Sequence, residues 1–320
     1  MSSTLGKSNI DVSKVAMGCW PIAGMTSLGV NEADSLATIR AAIDAGINFF
    51  DTAYCYGVDG VSERLLGLVA RTHREQLVIA TKCGVHWDSQ LNRVNDASPE
   101  RLLWECDQSL QRLGIPQVDL MYLHSPDLKT PVSKSAEAFV EMLETGKTKS
   151  VGVSNSSLSQ IQEFQSVCPI SAVQLKFNML QQEIQSEIVP WCIANQISVI
   201  AYWPLMKGLL AGKLRRDHVF DPLDKRTAYP MFSGLPWNRN QDFLDELFEI
   251  AREAGEPLVK LVVGWTANQP GINSVLCGAK RPSQIRESAE AINWCPEPKT
   301  MTRINEAINR RRQKDVESKA

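Results

Sequence analysis

Two periods of apolar residues alternate along this chain. Short runs rich in Val, Ile and Leu occur at 15–20, 47–50, 77–81, 118–123, 149–155, 172–175, 197–202 and 272–277, and they read as buried strands. Helical spacing fills much of the chain between them. Asn31 caps a helix whose buried stripe is Ile39, Ala42 and Ile43 and which Gly46 ends. A second helix starts at Ser62-Glu63. A third opens at Ser98, with Pro99 in its first turn, and closes at Leu113-Gly114. A fourth runs over 132–145 and stops at Gly146.

Strands that each lead into a helix predict a parallel sheet covered on both faces. Eight such units predict a single α/β domain over 1–320, a (β/α)₈ barrel. An open, doubly wound sheet is the alternative, but the G-x-G-x-x-G that would follow its first strand does not occur in the sequence. The stretch 208–240, with Pro222, Pro230, Gly234 and Pro236, has little periodicity. It is expected to be a long loop after the seventh strand, a lid or binding loop. Residues 299–314 are expected to add a C-terminal helix.

Composition narrows the function. The chain has 320 residues, 22% of them charged, and a net charge of −2, so no general field attracts nucleic acid or an anionic membrane. Arg310-Arg311-Arg312 reads as a solvated helix end. The opening residues lack the apolar core of a secretory signal, and no apolar run is long enough to span a membrane. The eight cysteines form no C-x-x-C pair, which argues against a zinc site or a redox dithiol. They read as reduced thiols of a cytoplasmic protein, and no metal is expected.

Ionisable residues stand where three successive runs end: Asp51, Lys82 and His124, with Tyr56 five residues past Asp51. In a parallel barrel these ends share one mouth, where reactive groups gather. Any one of them alone is more often structural. Together they suit one task, protonating a carbonyl oxygen. A tyrosine holds its proton at neutral pH, a nearby ammonium eases its release, an aspartate fixes the ammonium, and an imidazole orients the oxygen.

The motifs carrying these residues resemble the aldo-keto reductase family over 13–294. Asp51-Thr52-Ala53-Tyr54-Cys55-Tyr56-Gly57 followed by Ser62-Glu63, then Thr81-Lys82, then Leu123-His124-Ser125-Pro126-Asp127, match its signature segments in order. The resemblance implies Tyr56 as general acid, supported by Lys82, Asp51 and His124, and NADP(H) as cofactor. It further implies that Ser154, Asn155 and Gln174 bind the nicotinamide carboxamide and that Tyr202 stacks on the ring. Trp203, Pro204, Leu205, Lys207, Gly208 and Lys213 fall in the matched pyrophosphate segment, where many members have Ser in place of Trp203. Gly278, Lys280, Arg281, Gln284, Glu287 and Ser288 fall in the segment for the adenosine 2′-phosphate and adenine. Two cations before a helix N-terminus also favour a phosphate on physical grounds. Many members have Arg or Lys near Gln284 and Asn at Ser288. Gly18 and Trp20, in the first apolar run, and Asp51 complete the implied cofactor contacts.

The expected activity is hydride transfer between nicotinamide and a small carbonyl or alcohol, an aldehyde, ketone or sugar, with no nucleic-acid or membrane partner. A Schiff-base aldolase using Lys82 is one alternative. A cofactor-binding regulatory subunit, like the channel β-subunits that resemble this family, is another. Trp20, Trp87, Trp203 and Trp237 are candidate pocket walls, each equally suited to core or lid packing.

Overall fold

In the computed structural model, residues 2–25 and 27–317 are described. Eight parallel strands close into a barrel: β1 (Val15–Gly18), β2 (Phe49–Asp51), β3 (Val78–Cys83), β4 (Leu120–Leu123), β5 (Val151–Ser154), β6 (Ala172–Lys176), β7 (Ser198–Tyr202) and β8 (Ile272–Gly278). The β8–β1 register, Val275 with Val15 through Gly278 with Gly18, seals the ring. Around it run α1 (Glu32–Asp44), α2 (Val61–His73), α3 (Pro99–Leu113), α4 (Val132–Glu144), α5 (Leu158–Val167), α6 (Ile188–Asn195), α7 (Gly234–Ala254), α8 (Leu258–Ala267), α9 (Pro282–Ala289) and α10 (Pro298–Glu317). The (β/α)₈ barrel expected from the sequence is the fold.

Alternation along the strands divides the core in two. Ala16, Phe49, Ala80, Leu120, Tyr122, Ala172, Ile200 and Leu276 form one cluster inside the barrel. Their neighbours, among them Met17, Phe50, Ile79, Met121, Leu123, Val173 and Val199, join the larger cluster beneath the helices. Successive side chains on a strand point to opposite faces, so the position two beyond each inner residue is also inner. Phe49 is thus followed by Asp51, Ala80 by Lys82, Tyr122 by His124, Ala172 by Gln174 and Ile200 by Tyr202. The polar site is the last layer of the barrel's filling. Gly152 makes room for this filling, since a Cβ there would lie 2.5 Å from the Tyr122 ring.

Two antiparallel hairpins were not foreseen. Ser2–Thr4 pairs with Asp11–Ser13 at the bottom of the barrel, where Leu5 and Val12 join the inner cluster as a plug. Val85–Trp87 pairs with Arg93–Asn95 after β3, at the mouth. Their strands have three residues each, too short for a period to show.

The stretch 208–240 is a loop only to Ser233, broken by 3₁₀ turns at Met206–Ala211, Lys225–Ala228 and Pro230–Phe232. From Gly234 the chain is already in α7, which ends at Gly255. The correction has a simple cause. Pro236 stands in the first turn, where amides have no intrahelical acceptor, so its missing N–H costs nothing. The expected C-terminal helix is present as α10, longer than 299–314, and its Arg311 donates to Asn240 Oδ1 of α7 at 2.9 Å.

Gly67 in α2 tests how closely α2 and α3 approach. A Cβ there would lie 2.6 Å from the Leu113 carbonyl oxygen and 3.0 Å from that of Arg112. Alanine is the better helix former by about 1 kcal/mol, yet the contact is with backbone that has little room to yield. Gly67→Ala is therefore expected to destabilise the protein by about 1–3 kcal/mol, read as a lower denaturant midpoint. A midpoint that rises would show that the helices stand farther apart.

Candidate active site

Lys82 is the centre of the site. It is 1% exposed, and its ammonium donates to Asp51 Oδ1 at 2.5 Å, the Thr52 carbonyl at 2.7 Å and the Tyr56 hydroxyl at 3.2 Å. All three of its protons are used. The second oxygen of Asp51 accepts from Gln174 Nε2 at 2.7 Å, across the barrel from β6. Burial alone would push Lys82 down, but the Asp51 carboxylate and Tyr56, with the hydrogen bonds to both, hold it net above the usual lysine range. Burial likewise pushes Asp51 up, against the pull of Lys82 and Gln174.

Tyr56 lies edge-on to Trp20, with centroids 5.0 Å apart, and edge-on to His124 at 5.9 Å. The lowering expected from Lys82 is present but outweighed, because burial raises the phenol more than the ammonium lowers it. The phenol at rest is therefore fully protonated. His124 is pulled well below its usual range by burial, then by Lys82 and Arg93, and is a neutral imidazole. Its Nδ1 lies 3.6 Å from the Cys55 sulfur. Burial pushes that thiol up to about 12, so it stays S–H and has a proton to give to Nδ1. In that arrangement the imidazole proton sits on Nε2. Sequence reasoning passed over Cys55, although its place beside Tyr56 was a usable signal.

The next residues around the ring form a connected polar wall. Asn155, with φ of 54°, donates to the His124 carbonyl at 2.9 Å and to Ser154 Oγ at 3.1 Å, and accepts from the Tyr202 hydroxyl at 2.8 Å. Ser154, Asn155, Gln174 and Tyr202 thus stand together with the four central residues.

The segment after β7 is tightly wound. Trp203, Met206 and Lys207 are left-handed at φ of 61°, 45° and 57°, and Gly208 follows at 90°. Left-handed non-glycine residues cost on the order of 1–3 kcal/mol each and concentrate at ligand clamps. Pro204 is buried and Leu205 half-buried within the same turn. The Lys207 ammonium lies between two rings, 4.1 Å from the Trp203 centroid and 4.3 Å from that of Tyr229. Lys213 pairs with Glu287 of α9 at 2.5 Å.

At the β8 end, Gly278 faces Gly18, and a Cβ on Gly278 would lie 2.9 Å from Pro21. Lys280 donates to the Leu28 carbonyl at 2.7 Å, and its own amide donates to Gln284 Oε1 at 3.0 Å. Arg281 is exposed at the start of α9, whereas Ser288 is buried beside Cys277. Ser288 therefore packs inward. Past the ends of β7 and β8, glycines, left-handed turns, cations and the N-terminus of α9 follow one another, a donor set that fits an extended dinucleotide.

Of the candidate walls, Trp20 and Trp87 stand at the site, where the Trp87 indole donates to the Cys55 carbonyl at 2.8 Å. Trp203 borders it beside Tyr202. Trp237 does not; it packs with Phe220 and Phe232 under the loop and donates to the Arg216 carbonyl. Among the described residues no cluster has the ligands for a metal ion, and no helix is long and apolar enough to cross a membrane.

The chain is 32% identical to an aldo-keto reductase of Bacillus subtilis (YhdN), covering 91% of this chain and 88% of that one. It is 31% identical to the NADH-specific methylglyoxal reductase of Escherichia coli, covering 90% and 92%. It is 30% identical to a probable voltage-gated potassium channel subunit beta of Arabidopsis thaliana, covering 95% of each. The solved glycerol dehydrogenase AKR11B4 of Gluconobacter oxydans superposes with a TM-score of 0.90 at 30% identity, covering 97% and 95%. The model of the aldo/keto reductase family matches residues 14–309, and the chain belongs to that family.

Proposed function

We propose that the protein is an oxidoreductase that interconverts a small carbonyl compound and its alcohol, with Tyr56 as the proton donor and acceptor. The observation that carries this reading is the buried ammonium of Lys82 held between Asp51 and the Tyr56 hydroxyl. A nicotinamide dinucleotide bound along these residues would supply or take up the hydride. Ser154, Asn155 and Gln174 would hold its carboxamide and Tyr202 its ring, with the turn at 203–213 at the pyrophosphate. A carbonyl oxygen entering the mouth meets the Tyr56 hydroxyl. With Cys55 donating to Nδ1, His124 offers its Nε2 proton to the same oxygen. As negative charge builds there, Tyr56 gives up its proton and Lys82 stabilises the phenolate left behind. In the oxidative direction the phenolate takes the alcohol proton.

Lys280 and Arg281 support a preference for the coenzyme that carries a 2′-phosphate. The relative named as NADH-specific shows that likeness at this level is compatible with either coenzyme. The aldolase alternative is disfavoured by Asp51, which keeps Lys82 charged and therefore not nucleophilic. The likeness to a channel subunit favours a second reading, cofactor binding without turnover. Steady oxidation of NADPH or NADH by simple aldehydes decides between them.

Tyr56→Phe is expected to lower the reduction rate by roughly 10²- to 10⁴-fold, with coenzyme affinity within a few-fold of wild type. Activity close to wild type would remove Tyr56 from the chemistry. The pH profile follows from the shifts. His124, held below its usual range, stays neutral as pH falls, and Tyr56, held above its range, stays protonated as pH rises. The reductive kcat/KM should thus be flat from about pH 6 to about pH 9, and an inflection near the ordinary histidine value of about 6.5 would contradict the neutral imidazole. Replacing Lys280 and Arg281 by neutral residues should shift the NADPH-over-NADH preference by about tenfold or more, since charge-assisted contacts are worth about 1.5–3 kcal/mol each. Equal weakening of both coenzymes in fluorescence titration would place the selector elsewhere.

A further inference from the structure

The hairpin over the mouth carries a charge that the chemistry above leaves unused. Its register pairs Val85 with Asn95 and Trp87 with Arg93. Cross-strand partners project from the same face of a two-stranded ribbon, and residues two apart share that face. Three of these four side chains are turned to the site. Val85 is buried with Ala53 and Cys55, Trp87 packs on the same cluster, and Asn95 donates at 3.3 Å to Ser125, the residue after His124. His86 takes the opposite face, 3.6 Å from Glu105. Arg93 completes the row that faces the site, and it is exposed.

Its guanidinium is felt across the opening. It draws the Cys55 thiol and the Tyr202 phenol downward ahead of Lys82, and it acts on His124 as well. Cys55 follows β2 and Tyr202 ends β7, with β8 and β1 between them in the ring. Arg93 thus acts on groups from both sides of the opening, as its place on the hairpin requires. The carboxylates near the hairpin are already engaged. Asp88 accepts from the amides of Gln90 and Asn92, Asp96 from Ser98, and Asp127 from the amides of Ala97 and Thr130. Asp51 is neutralised by Lys82. Among the described residues none of these carboxylates pairs with Arg93, so its guanidinium is open to an anionic ligand.

We propose that Arg93 selects the substrate, and that the site takes carbonyl compounds bearing a carboxylate within a few bonds of the reacting carbon. The planar guanidinium can grip a carboxylate through two parallel hydrogen bonds, and the Trp87 ring beside it covers the apolar part of the molecule. This orients the carbonyl oxygen toward Tyr56 and His124. The proposal rests on the oxidoreductase reading above for its reaction, though not for the anion site itself.

The test compares 4-carboxybenzaldehyde with 4-nitrobenzaldehyde in the wild type, Arg93→Met and Arg93→Lys. The wild type should favour the carboxylated aldehyde in kcat/KM by tenfold or more. Arg93→Met should lower that ratio by tenfold or more, chiefly through KM, and Arg93→Lys should retain part of it. A ratio that Arg93→Met leaves unmoved overturns the proposal. Calorimetric titration with benzoate, with and without NADP⁺, separates the two readings because it needs no turnover. Weaker benzoate binding by Arg93→Met, with neither aldehyde reduced by the wild type, would keep the anion site and reject the oxidoreductase. Equal benzoate affinity in wild type and Arg93→Met, under both conditions, overturns the anion site whatever the turnover.

Discussion

The buried pair of Lys82 and Asp51 sets the terms for the rest of the mouth. Taking an ammonium and a carboxylate out of water costs several kcal/mol per ion, and the pair persists only where every remaining proton and lone pair finds a partner. Here the partners come from separate strands and the loops that follow them: the Thr52 carbonyl and Tyr56 after β2, and Gln174 from β6. Only a closed barrel with fixed register brings these groups within hydrogen-bond reach. The Tyr56 phenol is thus held by the same contacts that make the buried charge tolerable, so on the proposed reading chemistry and local stability depend on one geometry.

The strand that carries Lys82 is also fixed from outside the barrel. Thr81, on the opposite face, donates to the fully buried Glu63 at 2.6 Å, and Glu63 in turn accepts from Arg112. Ser62 shares a 2.7 Å hydrogen bond with Thr52, and the amide of Gly84 donates to Glu105 at 2.6 Å. Ser62 and Glu63 belong to the motif that marked the family in the sequence, yet neither faces the site. They are anchors. A motif read as one functional unit thus divides in the structure into residues that face the mouth and residues that hold the wall behind it.

Much of the barrel was legible because its strands are buried on both faces and are separated by helices with capping residues such as Asn31 and by breakers such as Gly46 and Gly114. Asp51, Lys82 and His124 could be placed together because each lies at or just beyond a strand end, where the pleat leaves one orientation, whereas Tyr56, in the loop after β2, was placed by its motif. What stayed hidden depended on contacts distant in sequence. Cys55 gains its meaning from His124, 69 residues away. Arg93 gains its meaning from a hairpin whose three-residue strands leave no periodic trace. The direction of the Tyr56 shift was hidden for another reason, since it depends on how completely the ring is buried, and burial is a property of the closed fold.

The turn after β7 and the start of α9 show how tertiary partners change what a matched residue can contribute. Lys207 is held between Trp203 and Tyr229, Lys213 is paired with Glu287, and Lys280 is tied to the Leu28 carbonyl. Any phosphate that engages these cations must replace contacts they already have, and the binding energy is the difference between the two sets. A surface pair such as Lys213–Glu287 is worth little and yields easily. Lys207 between two rings gives up more, at about 0.5–2 kcal/mol per cation–π contact. On the proposed reading, the pyrophosphate interaction is therefore a balance. Trp203, where many family members have serine, weighs that balance toward the free form and makes the turn after β7 a store of competing contacts as well as a cradle.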